Sequence, residues 1–298
     1  MKLLVLGASG MLGNAMLRVL SEPGEHEVFG TMRSADTIPL FPHRVAAHLL
    51  TGIDVNSEGV LAGVFERVAP EVVINCIGLI KQLPGASDPL QAIPLNALLP
   101  HRLAGLCDTA GARLVHFSTD CVFSGEKGQY RETDLADARD LYGLSKLLGE
   151  VHGPRVITLR TSAIGHALDS AEGLIDWFLG RQQSCGGFSR AIFSGLPTVV
   201  LAQLVRDVII PDTGLRGLYH VAADPISKLE LLQQVARVYG KIIEVVSKDH
   251  PVIDRSLDAG RFRAATGYEA PNWQELIERM HTDYLQNMRR KNDLKMMC

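Results

Sequence analysis

The chain has 298 residues, 46% of them hydrophobic, with 28 glycines and a formal net charge of −3. That length can bury a substantial core without metals or disulfides, and the near balance of acid and base leaves no overall basic footprint for nucleic acid. No stretch offers the roughly 18 consecutive apolar residues of a membrane span, and five scattered cysteines (Cys76, Cys107, Cys121, Cys185 and Cys298) form neither a C-x-x-C pair nor a zinc-like set with histidine.

In chain order, short apolar runs alternate with segments at helical spacing. "KLLVLG" reads as a first strand rather than a signal peptide, because glycine follows at once and no small-residue cleavage site appears. "MLGNAMLRVLSE" is the first helix, "EVFGTMR" the second strand and "RVAAHLL" the third. "NSEGVLAGVFERVAP" is a helix capped by Asn56 or Ser57 and closed before Pro70. "EVVINCIG" is the fourth strand, "PLNALLPHRLAGLCDTAG" a helix, "RLVHFST" the fifth strand, "DLYGLSKLLGE" a helix and "VITLRTS" the sixth strand. Unalternating apolar runs such as Val72 to Ile74 suit parallel strands covered on both faces, so the series predicts a doubly wound α/β sheet.

The rhythm changes after Ser162. "GLIDWFLGRQQSCGG" reads as a helix and a glycine-rich loop, "GLYHVAA" as one more sheet strand and "SKLELLQQVARVYG" as a helix. There follow "IIEVV" as a strand, "SLDAGRFRAATGY" as a short helix, "NWQELIERMHTDYLQNM" as a final amphipathic helix and "MRRKNDLKMMC" as a frayed basic tail. The expected division is a Rossmann-type nucleotide-binding domain over 1–162, completed by a strand near 217–223, and a smaller mixed α/β lobe over 163–298 that binds substrate.

The first strand ends in "GASGMLG", with Gly7, Gly10 and Gly13 at the turn into a helix. Glycine there lets the backbone approach a pyrophosphate, and the helix start offers free N–H donors; Ser9, Met11 and Leu12 share that turn. A P-loop is disfavoured, since no Gly-Lys-Ser/Thr follows. After the second strand stands Arg33 with no acid, which favours the extra phosphate of NADPH (NADP+) over the ribose of NADH, the alternative. Asp54 and Val55 stand where a side chain could meet the adenine, although Asp54 serves equally well as a turn or capping residue. The fourth strand brings Cys76, Ile77 and Gly78 to the carboxyl edge, where ligands bind in such folds, and the fifth brings Thr119 and Asp120. Tyr142 and Lys146, four residues apart on one helical face, can converge there with Thr119 beside a nicotinamide.

Together "GASGMLG", "VVINCIG", "STDCVF", "YGLSK" and "LRTS" resemble the extended short-chain dehydrogenase/reductase family, and most closely its dTDP-4-dehydrorhamnose reductase-like branch. The resemblance covers roughly the first 165 residues well and the remainder more loosely. It implies an NAD(P)-dependent oxidoreductase that reduces the 4-keto group of a nucleoside-diphosphate 4-keto-6-deoxy sugar, in deoxysugar and surface polysaccharide synthesis. Under that implication Tyr142 donates a proton to the carbonyl oxygen and Thr119 holds that oxygen. Lys146 binds the nicotinamide ribose and, together with the positive nicotinamide ring, draws the Tyr142 ionisation toward neutrality, and Asp120 meets the sugar. Related dehydratases carry Thr-Asp-Glu, whereas this chain has Thr119, Asp120 and Cys121, which removes a carboxylate needed for elimination.

Two departures lie at the expected substrate mouth. "NCIGLIKQLPGASDP" introduces Lys81 and Gln82, and Ala163 stands where the branch often has Trp. Lys81 is a candidate contact for a phosphate or sugar group, with a plain surface role equally open. Other functions on the same framework are a non-catalytic NADP-binding regulatory subunit and a nucleotide-sugar epimerase or dehydrogenase. The expected partners are a nucleotide-sugar substrate, with no nucleic acid, membrane or metal; the setting is cytoplasmic, and a homodimer is left open.

Overall fold

The computed structural model describes all residues except 23, 25, 84, 170–172 and 297–298, and describes no side chains for 288–296. The elements are β1 (Lys2–Leu6), α1 (Met11–Leu20), β2 (Glu27–Thr31), α2 (His43–Ala46), β3 (Leu49–Leu50), α3 (Val60–Val68) and β4 (Val72–Asn75). Next come α4 (Pro89–Ala92), running through a π-helical stretch at Ile93–Leu98 into α5 (Leu99–Ala110), then β5 (Arg113–Thr119), α6 (Leu141–Leu148) and β6 (Val156–Thr161). The later part holds β7 (Ala163–Ile164), α7 (Leu174–Leu179), β8 (Ser184–Phe188), β9 (Ala191–Phe193), β10 (Leu196–Pro197) and α8 (Thr198–Leu204). It ends with β11 (Gly217–His220), β12 (Ile226–Ser227), α9 (Lys228–Val238), β13 (Glu244–Lys248), β14 (Ile253–Asp254), α10 (Gly260–Thr266) and α11 (Trp273–Met296).

Seven strands form one parallel sheet in the order β11-β6-β5-β4-β1-β2-β3. The chain leaves β1 in one direction for β2 and β3, then crosses back to β4, so the order reverses between β1 and β4. A crevice outside the strand ends opens at such a reversal. The unalternating apolar runs are explained by two packed faces: Leu3 and Val5 join a cluster with Met16 and Leu17 of α1, while Leu4 and Leu6 join one with Leu61 of α3 and Leu103 of α5. β11 extends the sheet beside β6 as expected, and α8 belongs to the same core cluster as α1. The doubly wound Rossmann-type architecture is therefore present.

Several local expectations fail for identifiable reasons. The third strand shrinks to β3, because Pro42 opens the helical turn α2 across the residues before it. Neither Asn56 nor Ser57 caps α3, which starts from Gly59 with no side-chain cap. The glycine-rich "SCGG" is not a loop but part of β8, which pairs in parallel with β13; side chains at Gly186 or Gly187 would strike Lys248 or Leu229. The basic tail continues α11 as far as Met296, while Cys298 lies outside the described residues. Among the described residues Cys76, Cys107, Cys121 and Cys185 are free, no set of ligating side chains could hold a metal, and no helix is long and apolar enough to cross a membrane.

Candidate active site

The parallel sheet brings the ends of β1, β4 and β5 to one edge, and with them the glycine turn, Cys76 to Gly78, and Thr119. A side chain on Gly7 would come within 2.9 Å of Ile77 Cγ1, which shows how closely the first two of these segments pack. Gly10 precedes α1 in an extended conformation, gives no side-chain cap, and is followed by no acid in the first helical turn. The helix start therefore presents uncapped N–H groups and a positive dipole end toward the crevice, flanked by the partly open Ser9, Met11 and Leu12. Gly13 is buried beneath that turn.

Around this turn the other expected cofactor residues fall into two groups. Arg33 is exposed just beyond β2, and its carbonyl accepts from the Gly52 N–H. Asp54, by contrast, turns back on its own loop: its carboxylate accepts from the Asn56 N–H at 3.0 Å and from the Ser57 hydroxyl at 3.5 Å, the turn role left open from sequence. Val55 is buried in the core cluster of α3 and α5. Cys76, Ile77 and Gly78 line the edge half-buried, and Gly78 lies close to the Lys146 ammonium.

At the end of β5 the Thr119 hydroxyl accepts from the Cys121 N–H at 3.1 Å and donates to Asp120 at 3.2 Å, opening the short 3-10 turn Asp120–Val122. Asp120 is buried, and burial raises its carboxyl above the usual range; the Cys121 and Thr119 hydrogen bonds and the nearby Arg255 and Lys228 partly offset this. α6 begins at Asp140, whose side chain caps the Gly143 N–H at 3.0 Å. Gly143 sits where a side chain would meet the Cys121 carbonyl at 2.3 Å, so glycine lets α6 press onto the turn after Thr119. That contact brings Tyr142 beside Thr119.

The groups of the chain itself push the Tyr142 phenol up rather than toward neutrality. Burial raises it, Cys121, Asp120 and Asp140 push the same way, and the neighbouring Thr119 hydroxyl acts against them. Lys146 does not tune it in this structure, because its ammonium is turned to the Phe117 carbonyl at 2.6 Å. Burial pulls Lys146 down to about 8, with Glu150 and Cys76 acting against that. Lys81 reaches the mouth of the site, pairing with Asp140 at 2.8 Å and standing 5.6 Å from the centre of the Tyr142 ring. The cationic neighbour of that ring is thus Lys81.

Several participants were not singled out from sequence. Asn96, in the π-helical stretch, accepts from the Leu79 N–H at 2.8 Å and donates to the Leu79 carbonyl at 3.0 Å and to the Ser145 hydroxyl at 3.2 Å. It thereby ties the segment after β4 to α6. A lone amide inside the apolar "IPLNALLP" was the available signal. Buried Glu150 and Arg160 form a bidentate pair next to Lys146, betrayed in sequence only by a charge inside the apolar "VITLRTS". Arg255 and Lys228 approach Asp120 from the later part of the chain, where no local pattern marks them.

Residues 1–286 match the family described as the RmlD substrate binding domain. The chain is 24% identical to a dTDP-4-dehydrorhamnose reductase of Aggregatibacter actinomycetemcomitans, over 93% of this chain and 97% of that one. It is 28% identical to a probable low-salt glycan biosynthesis reductase of Haloferax volcanii, over 88% of this chain and 85% of that one. The fold is shared with a dTDP-4-dehydrorhamnose reductase of Bacillus anthracis solved in complex with NADP, at a TM-score of 0.78 and 20% identity, covering 95% of this chain and 99% of that one. A match over residues 1–286 of the chain makes this protein a member of the RmlD substrate binding domain family.

Proposed function

We propose that the chain is an NADPH-dependent reductase of the 4-keto group of a nucleoside-diphosphate 4-keto-6-deoxy sugar, serving glycan synthesis. The observation that carries this reading is the meeting of Thr119 with Tyr142, and of Lys146 with the end of β5, beside an uncapped helix start. The relatives named as reductases support the substrate class.

The residues fit a dinucleotide. The α1 start and Gly10 would take its pyrophosphate, exposed Arg33 would meet the extra phosphate of NADPH, and Lys146 with the Cys76 to Gly78 edge would flank the nicotinamide end, NADH being the weaker alternative. Bound there, the cofactor supplies the hydride. Thr119 holds the carbonyl oxygen, and Tyr142, whose raised phenol keeps its proton at neutral pH, donates that proton as charge builds on the oxygen. Asp120 and Lys81 would contact the sugar nucleotide, with residues 1–162 and β11 as the cofactor part and most of 163–298 as the substrate lobe. The free cysteines support a cytoplasmic setting. A homodimer is supported by exposed apolar side chains on neighbouring helices: Leu90 of α4, Leu98 of the π-helical stretch, and Leu144 and Leu148 of α6.

The test is NADPH oxidation, followed by absorbance, against a panel of dTDP- and UDP-linked 4-keto sugars. Turnover of one of them is expected. Clear NADPH binding with no turnover on any would overturn the reading in favour of a regulatory NADP-binding subunit. Retention of Thr119, Tyr142 and Lys146 together speaks for the enzyme.

A further inference from the structure

Just past α6 lies a buried charge that the proposed chemistry does not use. Glu150 and Arg160 are each 5% exposed at the side chain. One Glu150 oxygen accepts from the Ser118 hydroxyl at 2.6 Å and from Arg160 Nε at 2.8 Å, and the other accepts from Arg160 Nη2 at 2.8 Å. Arg160 Nη1 also meets His220 Nε2 at 3.3 Å, and a guanidinium only donates. His220 is therefore held neutral with its proton on Nδ1, directed at the Tyr130 carbonyl at 2.9 Å. Each nitrogen of the guanidinium and each oxygen of the carboxylate thus has a partner. Yet a buried ion pair is seldom more stabilising than apolar packing of the same shape, so its presence calls for a use of the charge itself.

That use is found one helical turn earlier. Lys146 is buried, and its ammonium donates to the carbonyl of Phe117, the residue next to Ser118. The titratable groups around it are Cys76 beyond β4, His116 on β5, and Glu150. Burial pushes the Cys76 thiol up and the His116 imidazole well down, so both are neutral at pH 7. Glu150 is the carboxylate of this set.

We propose that Glu150, held in place by Arg160, acts through Ser118 as the clamp on the strand end that carries both Thr119 and the Phe117 carbonyl to which Lys146 donates. Glu150 is a positioning residue: it acts through Lys146 and Thr119. Its effect on turnover rests on the reductase reading, whereas its effect on the Lys146 ammonium does not.

The experiment is an NMR titration of protein carrying [ε-13C]lysine, with the Lys146 signal assigned by its loss in Lys146→Met. The wild-type signal should titrate near pH 8. In Glu150→Gln the midpoint should fall by about one pH unit. In Glu150→Gln/Arg160→Gln, which leaves no stranded guanidinium and carries the test if the single variant does not fold, it should lie between the two. The basic limb of kcat should move in the same order, with KM for the sugar nucleotide little changed. An unmoved midpoint in both variants would overturn the proposal, even if activity fell. If the wild type reduced no sugar nucleotide, the reductase reading would fail while the lysine midpoints still decided the role of Glu150.

Discussion

Gly10 and Gly13 stand three residues apart in one turn, and the structure gives them separable tasks. A Cβ on Gly13 would lie 2.0 Å from the Gly7 carbonyl oxygen, 2.7 Å from its carbon and 3.2 Å from Ala8 Cα. All three atoms are backbone, so α1 would have to lift away from β1 by more than an ångström, and the core of Met16 and Leu17 would open with it. Overpacking of that kind costs about 3 kcal/mol. A Cβ on Gly10 would meet only the Gly7 oxygen, at 3.4 Å, and Gly10 has φ −71°, which any residue adopts. Gly10→Ala should therefore change stability by less than about 1 kcal/mol. Its methyl group would nonetheless stand where a pyrophosphate must approach the helix start, and NADPH affinity should drop about tenfold or more, a loss of about 1.4 kcal/mol. Urea unfolding followed by tryptophan fluorescence and titration with NADPH would read the two effects. Equal destabilisation by both variants, or wild-type NADPH affinity in Gly10→Ala, would refute this account of the turn.

Tyr142→Phe removes the proton donor and should lower kcat by roughly 100-fold while NADPH affinity stays nearly constant; a rate near wild type would exclude Tyr142 from the chemistry. Arg33→Ala should weaken NADPH by about tenfold and NADH hardly at all, since one charge-assisted contact is lost. Equal effects on the two cofactors would remove the basis for the choice. Because burial brings Lys146 down to about 8, its charged form is complete below that pH and lost above it. Activity should accordingly hold on the acidic side and decline as the pH rises through about 8, and a basic limb beginning only above pH 10 would show that the Lys146 charge is not required.

What could be read from the sequence was whatever repeats locally or sits at a fixed place in a βαβ unit. Glycine at the first strand-to-helix turn, Thr119 at a strand end, and Tyr142 and Lys146 one helical turn apart are all set by periods of the backbone, and the parallel sheet brings their ends together without further information. Burial and aim are different matters. Lys146 and Tyr142 were expected to be coupled because they share a helix face, but a shared face does not say which neighbour an ammonium turns to. The Phe117 carbonyl, 29 residues away in sequence, takes it. Likewise Asp54 satisfies its own turn, and the short β3 follows from a proline two residues ahead of the pattern that suggested a longer strand. Glu150, Arg160, Arg255 and Lys228 belong to the site through contacts between distant segments, which no window of sequence displays. The residues proposed for the chemistry were thus legible, while the charged groups around them became visible only in three dimensions. It follows that substitutions at the second group should alter pH dependence and substrate range before they alter the class of reaction.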